Sequence, residues 1–119
     1  MEQDTNFGFL KHEWDFLTES AIEAETNVKS APVTSAFYSR LCLEKTINWL
    51  FENEQYLNEP YQTSLSARMA EQTFKEIIPP SIYREIQTIR KEGNNAAHGK
   101  KIPVQASMAS LRFLFRFLS

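Results

Sequence analysis

Apolar residues recur at spacings of three and four along most of this chain, and no stretch alternates apolar and polar positions as a strand does. The spacing predicts a first helix over residues 5–27. Phe7, Leu10, Trp14, Leu17 and Ala21 form its apolar stripe, and Thr5 or Asn6 can cap it. Glu13, Asp15, Glu19, Glu23 and Glu25 cover the rest as a solvated face. After a loop from Asn27 to Thr34, a second helix is expected from about Val33 to Phe51. Its broad apolar face includes Phe37, Leu41, Ile47, Leu50 and Phe51, Tyr38 and Trp49 add bulk, and Arg40 and Glu44 can pair one turn apart.

Residues 52–63 lose this periodicity, and Pro60 stops any helix before it, so a long connection is expected there. A third, shorter helix follows from Leu65 to Ile78, using Leu65, Met69, Phe74 and Ile77 or Ile78, and Pro79-Pro80 ends it. Pro80 or Ser81 opens a fourth helix with Ile82, Ile86 and Ile89 inward, running into the stretch Arg90–His98. Pro103 can start a fifth, with Met108, Leu111, Leu114 or Phe115, and Leu118 on one stripe and Phe113 and Phe117 on another. The expected class is therefore all-α: an antiparallel helical bundle of four long helices plus one short helix, in one domain spanning residues 1–119. The last helix is apolar over most of its circumference and ends at Leu118-Ser119 without a cap signal. We expect an N-terminal fragment of a longer chain, with this helix either central or packed on something outside it.

Charge divides the chain in two. Residues 1–60 hold four Lys/Arg and eleven Asp/Glu; residues 61–119 hold nine and four. That asymmetry predicts either an acidic and a basic face or helices of opposite sign packed side by side. Cys42, the only cysteine, lies in an apolar run and reads as a small buried residue. A single cysteine excludes an internal disulfide and is compatible with the cytosol. Two histidines and one cysteine offer no metal-ligand spacing, and His12 on the acidic first helix has no assigned role. No phosphate loop, signal peptide or membrane-spanning run of about 18 apolar residues is visible.

The chemistry gathers in Arg90-Lys91-Glu92-Gly93-Asn94-Asn95-Ala96-Ala97-His98-Gly99-Lys100-Lys101, which holds two of the three glycines and four of the thirteen basic residues. On a helix, Arg90, Asn94 and His98 fall one turn apart, so one stripe can carry guanidinium, amide and imidazole. Gly93 is then a close-packing point or a break. Three readings stay open. The stretch is structural, with Asn94 as a cap, His98 on a backbone carbonyl and Ala96 and Ala97 admitting a close neighbour. Or it binds phosphate, through Arg90, Lys91, Asn94, His98, Lys100 and Lys101. Or it is catalytic, with imidazole moving a proton and guanidinium stabilising a charged phosphorane.

Arg90-x-x-Gly93-Asn94-x-Ala96-Ala97-His98 resembles the signature of small helical domains at the N-terminus of type I restriction enzyme R subunits. The opening Asn6-Phe7-Gly8-Phe9-Leu10 and the aromatic-rich helix after the motif resemble them too. Such domains are similar to the HEPN superfamily, whose active members cleave RNA with an Arg, four to six residues, and a His. Here seven residues separate Arg90 from His98. The resemblance implies an accessory module contacting DNA, other R-subunit domains, or the methyltransferase and specificity subunits. ATP, Mg²⁺ and DNA cleavage would belong to other domains. The alternatives are a stand-alone HEPN-type ribonuclease or toxin, or an interaction bundle that dimerises through its last helix. The expectations carried forward are absence of nuclease and ATPase activity, cytoplasmic location, and Asn94 beside a partly buried His98. Arg90, Lys91, Lys100, Lys101, Arg112 and Arg116 are expected in one DNA-contacting patch unless the last two pair with first-helix carboxylates.

Overall fold

A computed structural model describes residues 5–10 and 14–119, and every regular element among them is helical. The helices are α1 (Asp15–Thr26), α2 (Pro32–Asn53), α3 (Leu65–Ala70), α4 (Gln72–Ile77), α5 (Pro80–Ala97) and α6 (Val104–Leu118). The expected all-α bundle with four long helices is present. His12 lies outside the described residues, as do residues 11 and 13.

Two boundaries differ from expectation. Residues 6–9 form a turn where the first helix was expected to start; Leu10 is helical, and the long helix α1 begins at Asp15. The Thr5 hydroxyl donates to the Glu25 carboxylate, and the Asn6 N–H reaches the same carboxylate at 3.1 Å. These bonds fold the opening segment back onto α1, so Phe7 enters the core from a turn and Leu10 from the helical position just after it. The expected single helix over 65–78 is two. Glu71 is extended (φ −68°, ψ 139°), and its carboxylate accepts the N–H groups of Thr73 and Phe74 at 3.0 and 3.1 Å. An acid that caps a new helix ends the old one. Burial alone would raise the pKa of this carboxyl. The Thr73 hydroxyl and the two amides outweigh that effect and hold it below the ordinary glutamate value.

The pairing of helices follows from which residues meet. Along α1 and α2, the Ser35 hydroxyl donates to the Ala24 carbonyl at 2.6 Å, Cys42 Sγ faces the Leu17 carbonyl at 3.9 Å, and Trp14 meets Trp49 edge-on at 4.6 Å. One number falls as the other rises, so the pair is antiparallel. Gly93 against Arg40 and Ala96 against Ala36 set α5 antiparallel to α2. Ala106 packs on the Ala36–Ala96–Ile102 cluster, while Arg116 pairs with Glu85 at 2.8 Å, so α6 is antiparallel to α5. The longest helix, α2, therefore touches the other three long ones and fills the centre. One end of the bundle collects the last turn of α1, the 27–31 turn, the start of α2, the end of α5 and the start of α6.

The core follows the predicted stripes with two shifts. Leu17, Ala21, Leu43, Ile47, Ile86, Ile89 and Leu114 are all at most 2% exposed. On α2, however, the inward face is Ser35, Ala36, Ser39, Cys42, Leu43 and Ile47, and Phe37 is 38% exposed. On α6 it is Ser107, Ser110 and Leu114, while Met108 stands outward. Small side chains on both helices admit close approach, and large ones at those positions would hold them apart. Cys42 is buried as expected; burial pushes its thiol up to about 11, against weaker opposing effects of the Ser20 hydroxyl and Lys45. A thiol so held is not a thiolate at neutral pH.

The 54–64 connection is tied down by Arg68. Its guanidinium bonds Glu59 at 2.7 Å and Asn48 Oδ1, and lies 5.7 Å from the centroid of the Phe51 ring. Among the described residues, no helix is long and apolar enough to cross a membrane.

Candidate nucleic-acid interface

Helix α5 carries the motif to its last residue. Ala97 ends it, and Gly99 follows at φ +76°. The Gly99 N–H returns to the Ala96 carbonyl at 3.1 Å and the Lys100 N–H to the Asn95 carbonyl at 2.9 Å. These two bonds form a Schellman cap, which needs a left-handed residue at the position Gly99 holds. Nothing lies within 4 Å of a Cβ built on Gly99. Substitution there is therefore expected to cost backbone energy alone, about 1–2 kcal/mol. Thermal unfolding should show Gly99→Ala and Gly99→Leu equally destabilised and Gly99→Asn less so; a much larger loss for leucine would mean the space is not open.

Gly93 is the close-packing point rather than the break. It is buried in the unbroken helix against Arg40, whose own guanidinium pairs with Glu44 at 3.4 Å. Ala96 is 7% exposed beside Ala36 and Ile102, whereas Ala97 faces solvent. Asn94 lies inside the helix and caps nothing; its carbonyl accepts the His98 N–H at 3.1 Å.

The expected partial burial of His98 is overturned, since the residue is exposed. The cap turns the chain outward at His98, and Ile102 returns to fill the apolar gap instead. Asn94 and His98 remain one turn apart. Arg90, by contrast, is separated from His98 by about 12 Å along the helix and roughly 80° around it, from 1.5 Å and 100° per residue. The half-buried Arg90 directs its Nε to Gln87 Oε1 at 2.8 Å. The guanidinium and imidazole therefore do not converge.

The expected six-residue basic patch is divided. Arg116, near the C-terminal end of α6, pairs with Glu85 of α5, not with a carboxylate of the first helix. Arg112 lies beside the Phe113 ring, 6.0 Å from its centroid, and lines a groove with Glu25. Lys91, His98, Lys100 and Lys101 are exposed. Another basic residue joins the last three. Exposed Lys29 sits in the 27–31 turn, which the Ala36–Ala96 contact brings to the same end of the bundle. The sequence pattern places Lys29 in the loop between the first two helices and marks it with no motif. No local signal marks it, because the 27–31 turn becomes a neighbour of Lys100 and Lys101 only through the antiparallel pairing of α2 with α5.

The starts of α2 and α6 also face this end, and neither has a side-chain cap. Their unpaired N–H groups carry partial positive charge. Opposing it, Glu23 and Glu25 occupy the last turns of α1, where Glu23 accepts the Asn27 amide and Glu25 is held by Thr5 and Asn6. Among the described residues, no group of three His, Cys, Asp or Glu side chains is placed to hold a metal ion. No family model, curated protein or solved structure matches the chain.

Proposed function

We propose that this bundle is a non-catalytic accessory module, of the kind that opens type I restriction R subunits, and that its basic end touches DNA phosphates. The observation that carries the reading is the gathering of Lys29, His98, Lys100 and Lys101 at one end, beside the uncapped starts of two long helices. Lysines on exposed turns act as mobile point charges. They suit a phosphate backbone and carry no base-edge readout. Site choice, ATP, Mg²⁺ and strand cleavage would fall to other domains and subunits of the assembly. Cleavage by this module itself is disfavoured by geometry, because Arg90 is engaged with Gln87 and points away from the exposed His98. A cytoplasmic location goes with this reading.

Fluorescence anisotropy on a labelled duplex tests it. The chain should bind at low salt with a dissociation constant of roughly micromolar or weaker, and affinity should fall steeply as salt rises. Lys100→Glu/Lys101→Glu should weaken binding at least about tenfold and reduce the salt slope by about two, since each phosphate contact contributes about 0.9. Adding Lys29→Glu should weaken it further. Unchanged binding in the double variant, or none by the wild type at low salt, overturns the DNA contact. RNA cleavage that His98→Ala abolishes overturns the non-catalytic assignment.

A further inference from the structure

The outward face of α6 borders the basic end, sharing a groove with Glu25 and Val28, and runs away from it toward Phe9. Met108, Arg112 and Phe115 lie on it at i, i+4 and i+7, the spacing of a helix that seats in a groove. Met108 is 43% exposed and Phe115 37%. Phe115 meets Phe9, itself 43% exposed, edge-on at 5.8 Å. Met108, Arg112 and Phe115 themselves form one wall of a groove of about 270 Å³, lined also by Asn6, Phe7, Glu25, Val28 and Leu111. Its polar lining includes one acid, Glu25, and one base, Arg112. Glu25 accepts hydrogen bonds from Thr5 and Asn6 but pairs with no cation among the described residues; Arg112 likewise pairs with no carboxylate among them.

We propose that this face binds a second copy of the same chain about a two-fold axis. The ridge Met108–Arg112–Phe115 of each copy enters the groove of the other, and Arg112 of each meets Glu25 of the other. The charges select this occupant. A two-fold contact places the same surface on both sides, so any residue pair that crosses it occurs twice. A groove walled by such a ridge, and lined by an acid and a base that each lack an ion-pair partner among the described residues, can meet a copy of itself. A one-sided ligand, such as an acidic peptide, would satisfy Arg112 and leave Glu25 without a cation among the described residues. The patch is small, so the pairing is weak and concentration-dependent.

Sedimentation equilibrium of the 119-residue chain, from about 1 µM to about 500 µM, provides the test at the low end of interface affinity. The wild-type mass should rise toward twice the monomer value, and less so at high salt. Arg112→Glu and Glu25→Arg should each weaken association at least tenfold by setting like charges across the contact. An equimolar mixture of the two variants should recover it, because both crossing pairs then have opposite signs again. Glu25 also holds Thr5 and Asn6, so Met108→Lys serves as a second variant at an exposed position and should lose association by a similar factor. A wild type that stays monomeric throughout assigns the groove to a different partner and overturns the proposal. So does a mixture no better than its components, or a Met108→Lys variant that associates normally. Lys100→Glu/Lys101→Glu should leave self-association unchanged, so this proposal and the DNA contact fail independently.

Discussion

Gly93→Ala is expected to lower stability by about 2–3 kcal/mol, near the upper part of the range for overpacking. Helix propensity alone predicts the opposite sign, because alanine is better than glycine in a helix interior by about 1 kcal/mol. The environment decides. A Cβ at Gly93 would overlap Arg40 Cβ and stand 2.6 Å from its Cδ and 2.8 Å from its Cγ. The outer methylenes can swing away, but Arg40 Cβ is fixed to the α2 backbone, so relief requires the helices to separate. Their separation would also strip the Ala36–Ala96–Ile102 contact one turn on. For a chain of this length the midpoint should fall by roughly 8–12 °C, at about 4 °C per kcal/mol. Partner truncation sharpens the test. Arg40→Ala keeps the offending Cβ and should not rescue Gly93→Ala, whereas Arg40→Gly removes it and should restore part of the loss. A Gly93→Ala protein as stable as the wild type would mean that the helices are not in close contact there.

The same glycine marks how far the chain could be read before its structure. Its two roles, contact or break, were both legible in Arg90–Lys101, but choosing between them needed the neighbour Arg40, fifty-three positions earlier and tied by sequence only to Glu44. Helix content, the four long elements and the inward isoleucines of α5 follow from local periodicity, which the structure keeps. The missed boundaries have side-chain causes: Glu71 competes for amides inside an apparently continuous helix, and Glu25 draws Thr5 and Asn6 out of the first one. Phe37 and Met108 fit an apolar stripe yet stand outside, because serines and alanines hold the inner face and pack closer. At the basic end, Lys100 and Lys101 were legible as charge and Lys29 was not, since a distant turn becomes a neighbour only through the antiparallel pairing of α2 with α5. The split between Arg112 and Arg116 was equally invisible: which carboxylate a guanidinium meets depends on register, and the partner proved to be Glu85 of α5.

Phe74→Ala should be the most destabilising single truncation of the short-helix region, costing about 3–5 kcal/mol. Phe74 is fully buried although it lies on a helix of six residues, too short to persist without packing. Its ring stacks on Phe51 of α2 at 6.0 Å and meets Tyr83 of α5 at 6.5 Å, and the Tyr83 hydroxyl donates to the Met69 carbonyl of α3 at 2.9 Å. One ring thus joins α4 to both helices that form the middle of the bundle. Removing it leaves a cavity between elements that cannot collapse without moving α2 or α5. A domain is typically stable by only about 5–15 kcal/mol, so the variant should unfold well below the wild type in both heat and denaturant. Phe74→Leu retains most of the volume and should cost about 1.5 kcal/mol or less. If α3 and α4 were a loose flap, the alanine variant would lose less than about 1 kcal/mol, and its faster amide exchange would be confined to residues 65–77. The position also separates stability from function. Phe51 lies near the end of α2 and Tyr83 near the start of α5, so this ring sits at the opposite end of the bundle from Lys29, His98, Lys100 and Lys101. At a temperature where Phe74→Ala remains folded, its duplex affinity and salt slope should match the wild type. A parallel loss of binding would place the DNA contact near α4 instead of at the basic end.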